Sequence, residues 1–245
     1  MGKVRAPIDP VADLRRRLAR VSPRSAPLPK IRACVRRWWR DHGLDNHPAT
    51  VGKRIATVLI EQRSLEQKLA GVLVLEHIAD QLRTTDLPAF ARLFSGGHLT
   101  AWPVVHLFAD RVLAALLARE SNQADTARAI AGWRTADTVF QRSAACLALT
   151  SVAARIDTTI PGLASMILNV CASVVWSNER SDQQAVGQLL RQLARAEPSR
   201  VEAFFVRHAR FMSRECARAA VASLGPDKRR ELLACHTRAT TLRRP

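Results

Sequence analysis

Residues 100–111, TAWPVVHLFADR, bring together side chains whose types can act on a substrate. Read as one helix, Trp102, His106, Asp110 and Leu113 recur at i, i+4, i+8 and i+11 and share a face. A second stripe of Val105, Phe108, Val112 and Leu116 gives that helix its core contacts and leaves the Trp-His-Asp column to look outward. An indole face attracts cations, a neutral imidazole positions water, and a fixed carboxylate stabilises developing positive charge. Each residue also has a plainer reading, with Trp102 a partly buried core residue and His106 with Asp110 a local charge-assisted hydrogen bond.

Two further stretches carry polar side chains that core packing does not demand. In RTADTVFQRSAACLALTSVAAR, Val139, Phe140, Ala144 and Leu147 supply apolar contacts while Arg142 points elsewhere. In DQQAVGQLLRQLARAEP, Val186, Leu189, Leu190 and Leu193 are apolar, and Gln188, Arg191, Gln192 and Arg195 form a polar row. If alternate helices present such rows to one surface, Arg142, Arg191 and Arg195 make a basic stripe suited to a duplex backbone. Taken singly they are also readable as solvated residues, and Arg191 with Arg195 as a complement to a helix C-terminus.

The whole chain supports a polyanionic partner. Its 245 residues carry 38 Lys and Arg against 21 Asp and Glu, a net charge of +17, which favours nucleic acid ahead of an anionic membrane. Twelve Lys and Arg against four Asp place eight of those excess charges in residues 1–45. The five cysteines, Cys34, Cys146, Cys171, Cys216 and Cys235, are scattered without a CxxC or CxxH pair, as expected of reduced thiols in a cytoplasm. No window resembles a membrane span or a signal peptide, so a soluble cytoplasmic protein with no membrane partner is expected. There is no P-loop, GxGxxG, HExxH, GxSxG or metal-spaced His/Cys cluster, and neither a cofactor nor a metal is expected.

These residues must be positioned by helices. From residue 28 onward, start and stop signals separate one amphipathic segment from the next: Asn46 with Pro48, the Ser64-x-x-Gln67 capping box, Thr84 or Thr85, and Thr100 with Pro103. Further helices are predicted over 124–133, 136–153, 160–175, 182–196, 199–211, 214–223 and 227–235, and no strand pattern is found. The fold class is all-α. Helix pairs recurring roughly every 40 residues have the period of HEAT-type repeats, although a compact bundle satisfies the same lengths. The predicted organisation is a basic, Pro-rich N-terminal arm over 1–27 with a short helix in VADLRRRLAR, a helical domain over 28–236, and a basic tail over 237–245.

The runs KLAGVLVLEHI, LPAFARLFSGGHLTAWPVVHLFADRVLAALL, GWRTADTVFQRSAACLAL and QAVGQLLRQLARAEPSRVEAFF, in that order, resemble the DNA alkylation repair family, the AlkD-type HEAT-like-repeat DNA glycosylases. The resemblance covers about residues 28–225. It implies a solenoid of antiparallel helix pairs that grips double-stranded DNA in a basic concave face and releases N3- or N7-alkylated purines without a cofactor. A monomer associated with the nucleoid through DNA is the expected state. Trp102 matches the first residue of the family's W-x-x-x-D signature, Arg142 matches a backbone-contacting Arg, and Gly187, Leu190 and Arg191 match its GW-x-LRE segment. Two positions depart: His106 stands where the family has its catalytic Asp, and Gln188 where a Trp cradles the lesion. The expected catalytic residues are therefore His106 or Asp110, and the expected DNA contacts Trp102, Arg142, Gln188, Arg191 and Arg195. Two functions follow from the resemblance, excision of alkylated purines or non-catalytic binding of damaged, bent or branched DNA. A helical scaffold for an acidic protein is a third reading, from the basic charge alone.

Overall fold

Leu69 through Leu75 are buried without a break, which a one-sided amphipathic helix cannot achieve. The segment must be covered on several sides at once, and the rest of the chain is arranged to do this. The computed structural model describes residues 9–21, 27–119, 123–155 and 160–241. Its helices are α1 (Pro10–Val21), α2 (Leu28–Asp41), α3 (Ala49–Ile60), α4 (Leu65–His77) and α5 (Leu87–Ser95). Then follows α6, which runs from Trp102–Phe108 through a π-helical turn, Ala109–Leu113, into Ala114–Leu117. The remainder are α7 (Gln123–Ala131), α8 (Val139–Ala153), α9 (Leu163–Val174), α10 (Arg180–Leu193), α11 (Pro198–His208), α12 (Arg214–Ala220) and α13 (Pro226–Thr241). Among the described residues there is no strand, and the fold is all-α.

The helices pair in chain order and the pairs stack. Each even-numbered helix from α2 to α12 packs beside the next even one, forming an inner row, and the odd helices pack along its other side. This is the layering of a repeat solenoid, in which a pair touches mainly its neighbours. Close approach between neighbouring helices depends on two glycines. A Cβ on Gly71 of α4 would lie 2.7 Å from Ile60 Cγ1 and 2.8 Å from the Ala56 carbonyl of α3. One on Gly187 of α10 would lie 3.0 Å from the Cys216 carbonyl of α12. In the middle of the stack Phe90, Phe94, Phe108 and Trp133 meet edge to face, with centroids 5.3–5.9 Å apart.

Local chemistry revises several predicted boundaries. Asn46 lies in a 3-10 turn, and α3 begins after Pro48 instead. The Ser64 capping box does not form, because the Ser64 hydroxyl donates to the Glu66 carboxylate at 2.6 Å. A charge-assisted bond to a carboxylate outcompetes one to a backbone amide, and it holds the Glu66 carboxyl below its ordinary value.

The N-terminal helix, predicted within a separate arm, is docked on the stack. Leu14 and Leu18 are buried, the Trp38 indole donates to the Pro10 carbonyl at 2.9 Å, and Arg17 bridges Asp13 and Asp41. At the other end α13 continues through Thr241, so residues 237–241 of the predicted tail are helical. The rest of the predicted arm, 1–8 and 22–26, and the tail residues 242–245 lie outside the described residues.

Asp13 makes the docking of α1 sensitive to acid. Its carboxyl is held below its ordinary value, first by the hydrogen bond from His42 and then by Arg17. A lowered folded value means that this stabilisation is complete above the ordinary carboxylate range and is lost as the pH falls through the folded value. The expected outcome is that, below about pH 4, amides of α1 lose hydrogen-exchange protection before those of α8. Simultaneous loss in both helices would show that Asp13 does not govern the docking.

Candidate functional site

The row of even helices is flanked on each side by its own members and backed by the odd helices, which leaves one face of the row uncovered by the other. On α6, Val105, Phe108, Val112 and Leu116 are buried as the apolar stripe requires. Trp102 is half-buried at the edge of the core, while His106 and Asp110 are exposed. The Trp102 and His106 rings meet edge to face at 6.1 Å.

Leu113 does not join that column; it is fully buried. The cause is the π-turn, in which Ala114 N–H donates to the Ala109 carbonyl five residues back. One extra residue in the turn rotates everything beyond it by roughly 100°, which swings Leu113 into the apolar stripe. Nor does Asp110 bond to His106. It lies 3.0 Å from Arg111 Nε, which stands 3.8 Å from Glu76 of α4, and Glu76 in turn binds Arg32 of α2 at 2.5 Å. A ladder of charges thus crosses α2, α4 and α6 next to Trp102 and His106.

Arg142 is placed differently from the other predicted DNA contacts. Its Nε and Nη2 bind Asp182 at 3.1 and 2.8 Å, and its Nη1 donates to the Ala136 and Asp137 carbonyls at 2.8 and 3.1 Å. Asp182 is completely buried and also accepts from the Ser143 hydroxyl at 2.9 Å, while only 19% of the Arg142 side chain is exposed. The guanidinium is therefore committed to joining α8, its preceding loop and the first turn of α10. Asp182 was missed in the sequence because its partners lie 39 and 40 residues away.

Gln188 is half-buried and Arg191 and Arg195 are exposed, beyond the buried Val186, Leu189, Leu190 and Leu193. Neither arginine has a carboxylate within 4.0 Å among the described residues. The same holds for Arg36, Arg37 and Arg40 on α2 at the opposite end of the row, all exposed. Between α1 and α2 an open groove of about 940 Å³ is lined by Arg16, Arg17, Arg20, Lys30 and Arg37 against Asp13 and Asp41.

Three of the five thiols are poorly suited to nucleophilic work. Burial raises Cys146 and Cys171 well above the ordinary range and pushes Cys216 up to about 12. Among the described residues no three of His, Cys, Asp and Glu come together as metal ligands, and no helix is long and apolar enough to cross a membrane.

Two outcomes are expected. Arg142→Ala strands a buried carboxylate and lowers stability by about 3–5 kcal/mol, whereas Arg191→Ala and Arg195→Ala leave the melting temperature nearly unchanged. Thermal unfolding of the three variants checks this, and a stable Arg142→Ala protein would refute the role of Arg142 in joining α8 to α10. In native protein a thiol reagent is expected to spare Cys146, Cys171 and Cys216, which become reactive only on unfolding.

A search of curated proteins returned no match. A known family does match, DNA alkylation repair enzyme, over residues 24–224, which includes every helix from α2 to α12 and leaves out α1 and α13. With most of its length inside that match, the chain belongs to the DNA alkylation repair enzyme family.

Proposed function

We propose that the protein receives double-stranded DNA along the inner row of helices and hydrolyses the N-glycosidic bond of N3- or N7-alkylated purines. The observation that carries the reading is the Trp102–His106 surface, open on the inner row of a chain that belongs to this family. Exposed arginines without carboxylate partners stand on either side of it, on α2 and on α10. Lys and Arg in such positions neutralise phosphates and release counterions, so binding weakens steeply as salt rises. On this reading the inner row is the basic, concave face of a HEAT-like solenoid.

The chemistry asks little of the protein. An N-alkylated purine is cationic and departs neutral, taking the electron pair of the C1′–N bond. The sugar develops oxocarbenium character as that bond breaks. Trp102 offers a π-face to the cationic base. Neutral His106 accepts a hydrogen bond from the attacking water, aims it at C1′ and takes up its proton as the new C–O bond forms. An imidazolium there would repel both the lesion and the transition state. Arg191 and Arg195 hold the backbone beyond the lesion, Gln188 contacts the strand between them, and Arg142 acts mainly by fixing the α8–α10 junction.

A second reading, DNA binding without excision, is favoured by the engagement of Asp110 with Arg111 at 3.0 Å. That ion pair withdraws the carboxylate nearest in sequence to His106 from the sugar. The deciding measurement is release of methylpurine from alkylated duplex DNA by native protein, Trp102→Ala and His106→Asp. Native release, reduced about 2- to 30-fold by loss of the cation–π contact in Trp102→Ala, supports excision. Salt-sensitive binding without release, restored by His106→Asp, supports the second reading. Absence of any salt-dependent DNA binding would overturn both.

A further inference from the structure

Trp176 is 54% exposed, in the loop between α9 and α10. A single exposed apolar residue needs no explanation, but this one is built into its place. Phe211, from the loop between α11 and α12, lies against it with ring centroids 3.5 Å apart and planes tilted by 35°. The Arg210 guanidinium sits 4.5 Å from the Phe211 centroid. Both loops are held by one buried side chain of α10, Gln183, which is 4% exposed. Its Nε2 donates to the carbonyls of Val175 and Ser177 at 2.8 Å each, with the Phe211 carbonyl sharing one of the two N–H groups at 3.1 Å, and its Oε1 accepts from Ser213 N–H at 2.8 Å. One amide therefore fixes the backbone on both sides of Trp176 and beside Phe211.

The result is an indole supported from behind, open in front and set in position before any ligand arrives. Its surroundings are polar: Arg180, Arg214, Asn178 and Glu179 are exposed, and Glu215 is occupied by Arg180 at 3.5 Å and by the Gln184 amide at 2.7 Å. A flat, open ring with hydrogen-bonding groups around it suits a planar ligand better than a side chain seeking a pocket.

We propose that Trp176 is a stacking platform for an unpaired nucleobase of bound DNA. The inference rests on the reading of the protein as DNA-binding and extends it to the form of DNA preferred. A base inside a duplex already stacks on both neighbours and gains nothing from Trp176; a bulged, gapped or terminal base gains roughly 1–3 kcal/mol per stacked ring. In a stack of paired helices every odd-to-even loop lies along the same rim. Trp102 begins α6 on that rim, and Trp176 precedes α10, two inner helices further on. At 8–10 Å between axes this is roughly 16–20 Å, or about five to six nucleotides along a strand.

The test uses the full-length chain and two DNAs of equal length at one salt concentration, a perfect duplex and a duplex with a single-nucleotide bulge. Native protein is expected to prefer the bulged DNA by roughly 5- to 150-fold, the factor equivalent to one stacked base. Trp176→Ala is expected to abolish the preference while leaving affinity for perfect duplex unchanged, and Trp176→Phe to retain most of it. Equal binding of the two DNAs by native protein overturns the platform but not the DNA-binding reading. So does a Trp176→Ala loss that is equal on both, or a dimer that Trp176→Ala dissociates without effect on the preference. Failure to bind either DNA overturns both readings.

Discussion

Burying a carboxylate is costly, and this fold does it at Asp182, in the first turn of α10. An unpaired charge there would not be tolerated, so the position demands Arg142 from α8 and the Ser143 hydroxyl beside it. Because Arg142 must also satisfy the Ala136 and Asp137 carbonyls, one buried anion dictates three things at once. It fixes the spacing of α8 and α10, the path of the chain entering α8, and the direction in which the polar row of α10 looks. Arg191 and Arg195 inherit their outward position from this junction.

The π-turn in α6 makes a different compromise. It forfeits regular helical geometry between Ala109 and Leu113, yet it allows Leu113 to be buried together with Val112 and Leu116 while Trp102 stays half-buried and His106 exposed. A regular helix would have set Leu113 on the polar column. The wider turn thus satisfies the core and the open surface with a single helix. Within the same turn Asp110 pairs with Arg111 rather than with His106, and Arg111 stands in turn near Glu76, which binds Arg32.

The helical order, the pairing of helices and the apolar stripes of α6 and α10 were legible in the sequence, because each rests on residues separated by a few positions. The exposure of His106, Arg191 and Arg195 and the half-burial of Trp102 follow from the same spacing. What escaped depends on distance or on competition. The Asp182 partnership spans 40 residues, and nothing in DQQAVGQ marks that aspartate as buried. The π-turn has no glycine or proline to announce it. The Ser64 capping box matched its pattern and failed because Glu66 offered a stronger partner two residues away. Trp176 and Phe211 are 35 residues apart, and only the buried Gln183 amide makes them one surface.

Stacked pairs that touch mainly their neighbours form a spring. Small rotations between successive pairs add along the row, so the curvature of the inner surface can change considerably while each interface moves little. The spring is not uniform. Where Asp182 pins α8 to α10 it is stiff, and where Gly187 brings α10 against α12 there is little slack for sliding. The compliance is left to the N-terminal pairs, whose contacts across α2, α4 and α6 include a ladder of partly solvated charges. Rotations between pairs would then accumulate toward that end, with the α8–α10 junction as the fixed point.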